Sequence, residues 1–169
     1  QEIVLTAIHE IPHVLGFDAV AMNRFIDPNT NLLRPAGWVL ASMTMGLSTV
    51  SAVKTPTVLQ VARDHFGCST LEGVPLEDGG GAGTAGSHWE KRVLMNEFIT
   101  GSISPNPSLS KFTLAFMQDS GWYVANFSAA PDLIWGKGMG CGFIGSRCLP
   151  NNVGQFFCND PNGYGCSFD

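Results

Sequence analysis

The sequence predicts a chain built mainly of helices and irregular glycine- and proline-rich loops, with little strand. Apolar residues recur at helical spacing in two stretches with good start signals. Twenty glycines and ten prolines in 169 residues break up much of the rest. Four of the five cysteines lie between positions 141 and 166, the density of a disulfide-bonded extracellular module. No pair has the C-x-x-C spacing of a structural zinc cluster.

Composition narrows the function classes. A hydrophobic share of 44% with 14% charged residues is globular, and a net charge of −5 without a basic cluster disfavours nucleic acid and anionic membrane surfaces. No residue from Pro35 to Val53 is charged, yet Pro35, Gly37, Gly46 and several Ser and Thr residues make a spanning helix improbable. The window reads as a buried or partner-facing insertion, and no transmembrane segment is expected in this chain. The opening at Gln1, without initiator methionine or signal sequence, reads as a fragment or processed form.

In chain order, His9-Glu10-Ile11-Pro12-His13-Val14-Leu15-Gly16 reads as a helix that turns sharply at Gly16. Asp27-Pro28-Asn29-Thr30-Asn31 is a turn. Thr55 is placed to cap a helix with Pro56 at its first position and Val58, Val61, Ala62 and Phe66 on one face, stopping at Gly67. Residues 67–91 form a glycine-rich segment whose small residues allow close backbone approach. It lacks the Lys-Ser/Thr pair of a phosphate-binding loop. After the turn at Pro105-Asn106-Pro107, Ser108 can cap a helix carrying Leu109, Phe112, Ala115 and Phe116, ended by Gly121. Trp122 and Tyr123 read as core, and Asn126-Phe127-Ser128 is an N-glycosylation sequon.

The chemistry lies in the first helix. Residues four apart share a helix face, so His9 and His13 can present two imidazoles to one metal ion, with Glu10 beside it as general base. Zinc suits imidazole, and three protein ligands leave a position for water. The trailing Gly16 gives the pattern a metzincin look, but position 19, where the next histidine usually falls, is Ala19. His65 and His88 remain as candidates for the third ligand. His65, at a predicted helix end, reads more simply as a cap or surface residue. Glu77, Asp78 and Glu97 could orient a histidine ring, although loop bracing is the plainer role.

Longer motifs carry a resemblance. Asp64-His65-Phe66-Gly67-Cys68, Leu71-Glu72-Gly73, Glu77 to Trp89, Asn96 to Thr100, Phe116 to Tyr123, Trp135-Gly136, Cys141 and Cys148 together resemble the leishmanolysin family of zinc metallopeptidases. The resemblance implies an α+β metzincin (zincin-like) catalytic domain, here from its active-site helix onward over residues 1–148, with 149–169 beginning a cysteine-rich C-terminal domain. It implies His88, in the Gly86-Ser87-His88 segment, as third zinc ligand, and a Cys68–Cys141 disulfide. Cys148, Cys158 and Cys166 would pair further along the parent chain.

Two departures bear on activity. Alignment from His88 puts Ile99 where the family's methionine turn places methionine, with Met95 out of register. Pro12, inside the metal-binding helix, removes the bond to the Ile8 carbonyl and is expected to kink the helix between two ligands. The implied function is a Zn2+ metalloendopeptidase acting on polypeptides, extracellular or at the cell surface, with membrane anchoring left to the parent protein. The alternative is a non-catalytic adhesion or binding protein of the same fold with an impaired zinc site.

Overall fold

The computed structural model describes residues 2–146 together with 156 and 157. Helix α1 (Glu2–Leu15) carries the histidine motif and runs unbroken through Pro12. Pro12 falls in the last turn, so the one bond it removes is that to Ile8. Its own carbonyl accepts from Phe17 N at 2.8 Å, and the expected kink does not separate the two histidines. The turn at Gly16 needs glycine twice over. Its φ is +123°, and a Cβ there would lie 2.6 Å from Trp122 Cζ3. Tyr123 completes the exit by donating its hydroxyl to Leu15 O at 3.0 Å. Trp122 and Tyr123 are thus half-exposed clamps on the end of α1, where the sequence suggested core.

At the turn after a short 3-10 helix (Ala21–Arg24), Asp27 Oδ1 accepts from Asn29 N and Asn31 takes a φ of +57°. The uncharged window is a β-hairpin. Strands β1 (Leu40–Met45) and β2 (Ser48–Val53) pair antiparallel from Leu40↔Val53 to Met45↔Ser48, around a two-residue turn with Gly46 at φ +65°. Short strand β3 (Val74–Pro75) adds to β2, giving the order β1-β2-β3. Val50, Ala52 and Val53 are buried while β1 is an edge strand. No helix among the described residues is long and apolar enough to cross a membrane.

Helix α2 (Pro56–Phe66) starts after Thr55 and ends at Gly67, as its sequence predicts, but Thr55 makes no side-chain cap. The cap comes from Asp119, which accepts from Thr57 N at 2.8 Å, Val58 N at 3.1 Å and the Thr57 hydroxyl. Asp119 closes α4 (Lys111–Asp119), so one carboxylate joins two helices that pack together. Helix α4 begins two residues later than expected. Ser110 is its N-cap, whereas Ser108 is drawn into a parallel bridge with Glu97. Between these helices lies the short α3 (Lys91–Leu94), and α5 (Cys141–Gly145) follows the Trp135 loop.

The core is aromatic. Trp89, fully buried, meets Phe17 edge-on at 4.9 Å and Phe116 at 6.0 Å, and its indole N–H donates to Thr113 Oγ1 at 3.0 Å. A second cluster joins Phe66, Phe112, Trp135 and Phe143, with Phe156 and Phe157 packed onto it. Cys68 and Cys141 form a disulfide tying α2's exit to α5 across 73 residues of sequence. Cys148, Cys158 and Cys166 lie outside the described residues, as does most of the segment 149–169.

Candidate metal centre

Three histidines from two unlike supports meet at one point. His9 and His13 project from one face of α1, with ring centroids 5.3 Å apart. His88 arrives from the end of the glycine-rich loop, and its Nε2 lies 3.1 Å from Nε2 of both His9 and His13. The arms of that loop are zipped by Glu77 N donating to His88 O and Gly86 N donating to Glu77 O, both at 2.9 Å, and by the bridge Leu76↔Trp89. Trp89 then pairs with the segment beyond it, its N–H reaching Ile99 O at 2.8 Å. The buried indole of Trp89 therefore anchors the residue beside His88.

Each ring is held by a backbone carbonyl at its other nitrogen. His9 Nδ1 donates to Phe98 O at 2.8 Å, His13 Nδ1 to Phe17 O at 2.7 Å and His88 Nδ1 to Thr84 O at 3.0 Å, with Ser87 Oγ 3.1 Å from the same nitrogen. A carbonyl can only accept, so these bonds put the proton of each neutral ring on Nδ1 and leave Nε2 a bare lone pair. Three lone pairs pointing together repel unless a cation lies among them. Ligands at about 2.0–2.1 Å from a tetrahedral zinc ion are about 3.3 Å apart, close to the 3.1 Å separations seen here. The donor set and spacing therefore fit zinc. Burial, chiefly, lowers the pKa of His88, favouring the neutral form that binds metal.

Glu10 is exposed on α1 between these histidines, and its charge acts on the His88 ring. His65 takes no part in the cluster. It bonds Trp135 O through Nε2 at 2.8 Å and lies in the second aromatic cluster, a part-buried brace where its position suggested a cap or surface residue. Ile99 is fully buried, and Met95, four residues earlier at the end of α3, adopts φ +34°.

None of the three carboxylates considered as histidine partners has that role. Glu97, buried, accepts from Ile99 N, Ser110 N, Ser110 Oγ and Thr113 Oγ1, which braces the loop that supplies the Phe98 carbonyl. Burial pushes its carboxyl up to about 7 against the pull of those four donors. Glu77 and Asp78 stand instead near Glu90, a residue the sequence did not single out. Burial, with the Glu77 charge second, raises the Glu90 carboxyl. Neither the ring-holding carbonyls nor Glu90 had a sequence signal. Carbonyls occur at every residue, and a glutamate followed by Lys91 and Arg92 reads as surface.

Comparison with known proteins identifies the family. A family profile described as Leishmanolysin matches residues 1–169. A leishmanolysin-like peptidase of Drosophila melanogaster is 54% identical over 99 residues, 59% of this chain and 14% of that protein. The leishmanolysin homolog of Crithidia fasciculata is 40% identical over 162 residues, 94% of this chain and 23% of that protein. Leishmanolysin of Leishmania donovani is 32% identical over 165 residues, covering 95% of this chain and 26% of that protein. The chain thus spans about a quarter or less of the length of these relatives, and over that span it belongs to the leishmanolysin family.

Proposed function

We propose that this chain carries the active-site helix and the C-terminal part of the catalytic domain of a zinc-dependent metalloendopeptidase, in the metzincin form of the α+β fold. The convergence of three Nε2 lone pairs, each ring fixed by a carbonyl at Nδ1, carries the reading. His9, His13 and His88 would hold zinc. When bound, the ion supplies a Lewis acid that polarises a peptide carbonyl and lowers the pKa of water. Glu10 accepts the proton of the attacking water and returns it to the departing amine, so no group of the chain becomes covalently attached to substrate. Ile99 occupies the methionine-turn position, where an apolar side chain of similar volume can floor the site.

The substrates are polypeptides and the setting is extracellular or at the cell surface, in keeping with the Cys68–Cys141 bond. Asn126 is exposed and free at its amide nitrogen for glycosylation, its Oδ1 accepting from Ser128. Residues 149–169 would open a cysteine-rich domain, and a membrane anchor would belong to the parent protein.

The test is peptide hydrolysis by the full-length, propeptide-free protein. Chelation should abolish turnover, and Glu10→Gln should lower kcat by about 10²–10⁴ with zinc content unchanged. Zinc bound in the wild-type protein with no turnover of any peptide would favour the second reading, a binding or adhesion protein of the same fold. Ile99 in place of methionine is the observation behind that alternative.

A further inference from the structure

A second group of ligand-type side chains lies outside the histidine centre. One carboxylate oxygen from each of Glu77, Asp78 and Glu90 falls within 4.8 Å of the others. Such clusters are common on surfaces, but Glu90 is only 7% exposed. Its Oε1 accepts from Arg92 N, while its Oε2 is buried with no hydrogen-bond partner. The Arg92 guanidinium is committed to Phe143 O and Ile144 O. Glu77 is held in place, accepting from Gly79 N at 3.0 Å and Lys91 N at 3.3 Å, with lone pairs remaining on both oxygens. Asp78 is exposed and closes the group from the solvent side.

We propose that Glu77, Asp78 and Glu90 form a second cation site, one that takes calcium. The donors are all hard carboxylate oxygens, which suit calcium and magnesium and not the imidazole-seeking metals. Calcium binds oxygen at about 2.3–2.6 Å, so its ligands lie up to about 4.6–5.2 Å apart, and three oxygens within 4.8 Å of one another can share one ion. Magnesium demands near-ideal octahedral geometry and keeps several waters, so it is the less suited to three protein carboxylates set by a loop neck. Water and nearby carbonyls complete the shell on the open side.

The position gives the site a purpose. Residues 75–77 and 88–90 are the two arms at the neck of the loop that ends in His88, joined by Glu77 N to His88 O and Glu90 N to Pro75 O. An ion shared by Glu77 on one arm and Glu90 on the other cross-links that neck through side chains as well. Its two positive charges offset most of the repulsion among three carboxylates and give the orphaned Glu90 oxygen a partner. The assignment stands on these oxygens alone and does not depend on peptidase activity.

Calcium uptake by the zinc-loaded full-length protein tests it, measured by equilibrium dialysis and by terbium luminescence excited through tryptophan, since Trp89 adjoins Glu90. Glu90→Gln, nearly isosteric, and Asp78→Asn, at an exposed position where folding is not at stake, should each remove one calcium per chain. Each should also cut the terbium signal several-fold, with zinc still at one per chain. Calcium and terbium binding unaltered in both variants would overturn the assignment, as would the absence of any uptake by the wild-type protein at millimolar calcium.

Discussion

The two supports of the histidine centre differ in how far apart in sequence their causes lie. On α1, His9 and His13 share a face because the helix repeats every 3.6 residues, and nothing beyond the local chain is needed to align them. His88 ends a loop of small residues with no repeating backbone of its own. Its place is set by pairings at Leu76↔Trp89 and Trp89↔Thr100 and by the burial of Trp89 against Phe17 and Phe116. The helix is robust to a local insult, as the unbroken run through Pro12 shows. The loop depends on contacts from several elements, and its ligand should be the easier one to misplace by remote change.

Direct removal of a ligand is the largest expected effect and should erase the contrast. His9→Ala and His88→Ala should each bring zinc from one per chain to near zero by elemental analysis, with turnover lost in parallel. Equal zinc in either variant and the wild type would break the three-histidine centre itself.

Cutting the Cys68–Cys141 bond separates the supports. The disulfide closes a sequence span of 73 residues that contains the whole loop but not α1. Loop-closure entropy puts its loss in the double serine variant at about 4 kcal/mol, readable by chemical denaturation. Loss of His88-side amide protection before that of α1 in hydrogen exchange would sharpen the comparison.

Glu97 gives the loop side a pH dependence. Its carboxyl, about 7 when folded against 4.5 ordinarily, favours the protonated form in the folded state. Its contribution is fully present below pH 4.5 and is lost as pH rises toward 7, because the unfolded chain gives up the proton first. The difference between those values corresponds to about 3 kcal/mol. Denaturation from pH 4.5 to 7.5 should show this loss in the wild type and a flatter course in Glu97→Gln. Parallel profiles would contradict it.

The smallest effect is expected on the helix side. Pro12→Ala restores an N–H for Ile8 O but removes part of a buried ring, and these opposing changes should leave stability within about 1 kcal/mol. Zinc content should not change. A large shift in either would mean that the proline sets the angle between His9 and His13.

Much of this was legible in the chain because it is local. Helix spacing placed His9 and His13 together with Glu10 between them, Pro56 and Gly67 marked the two ends of α2, and Gly16 and Gly121 marked turns where a side chain would collide. The likeness of whole motifs pointed to His88 and to the Cys68–Cys141 pairing, which no local pattern specifies. Other features depended on partners far along the chain. Asp119 caps a helix 62 residues earlier in place of Thr55, and Ser108 is taken into a bridge with Glu97, so α4 starts at Ser110. The uncharged window became a hairpin because β2 could bury Val50, Ala52 and Val53 beside β3. The sequence by itself determined which residues can bind a metal, since that is a matter of atom type and helical repeat. Only the tertiary structure decided which nitrogen of each ring is free and which carboxylate is left without a partner, because carbonyls and burial are supplied by neighbours the local sequence does not name.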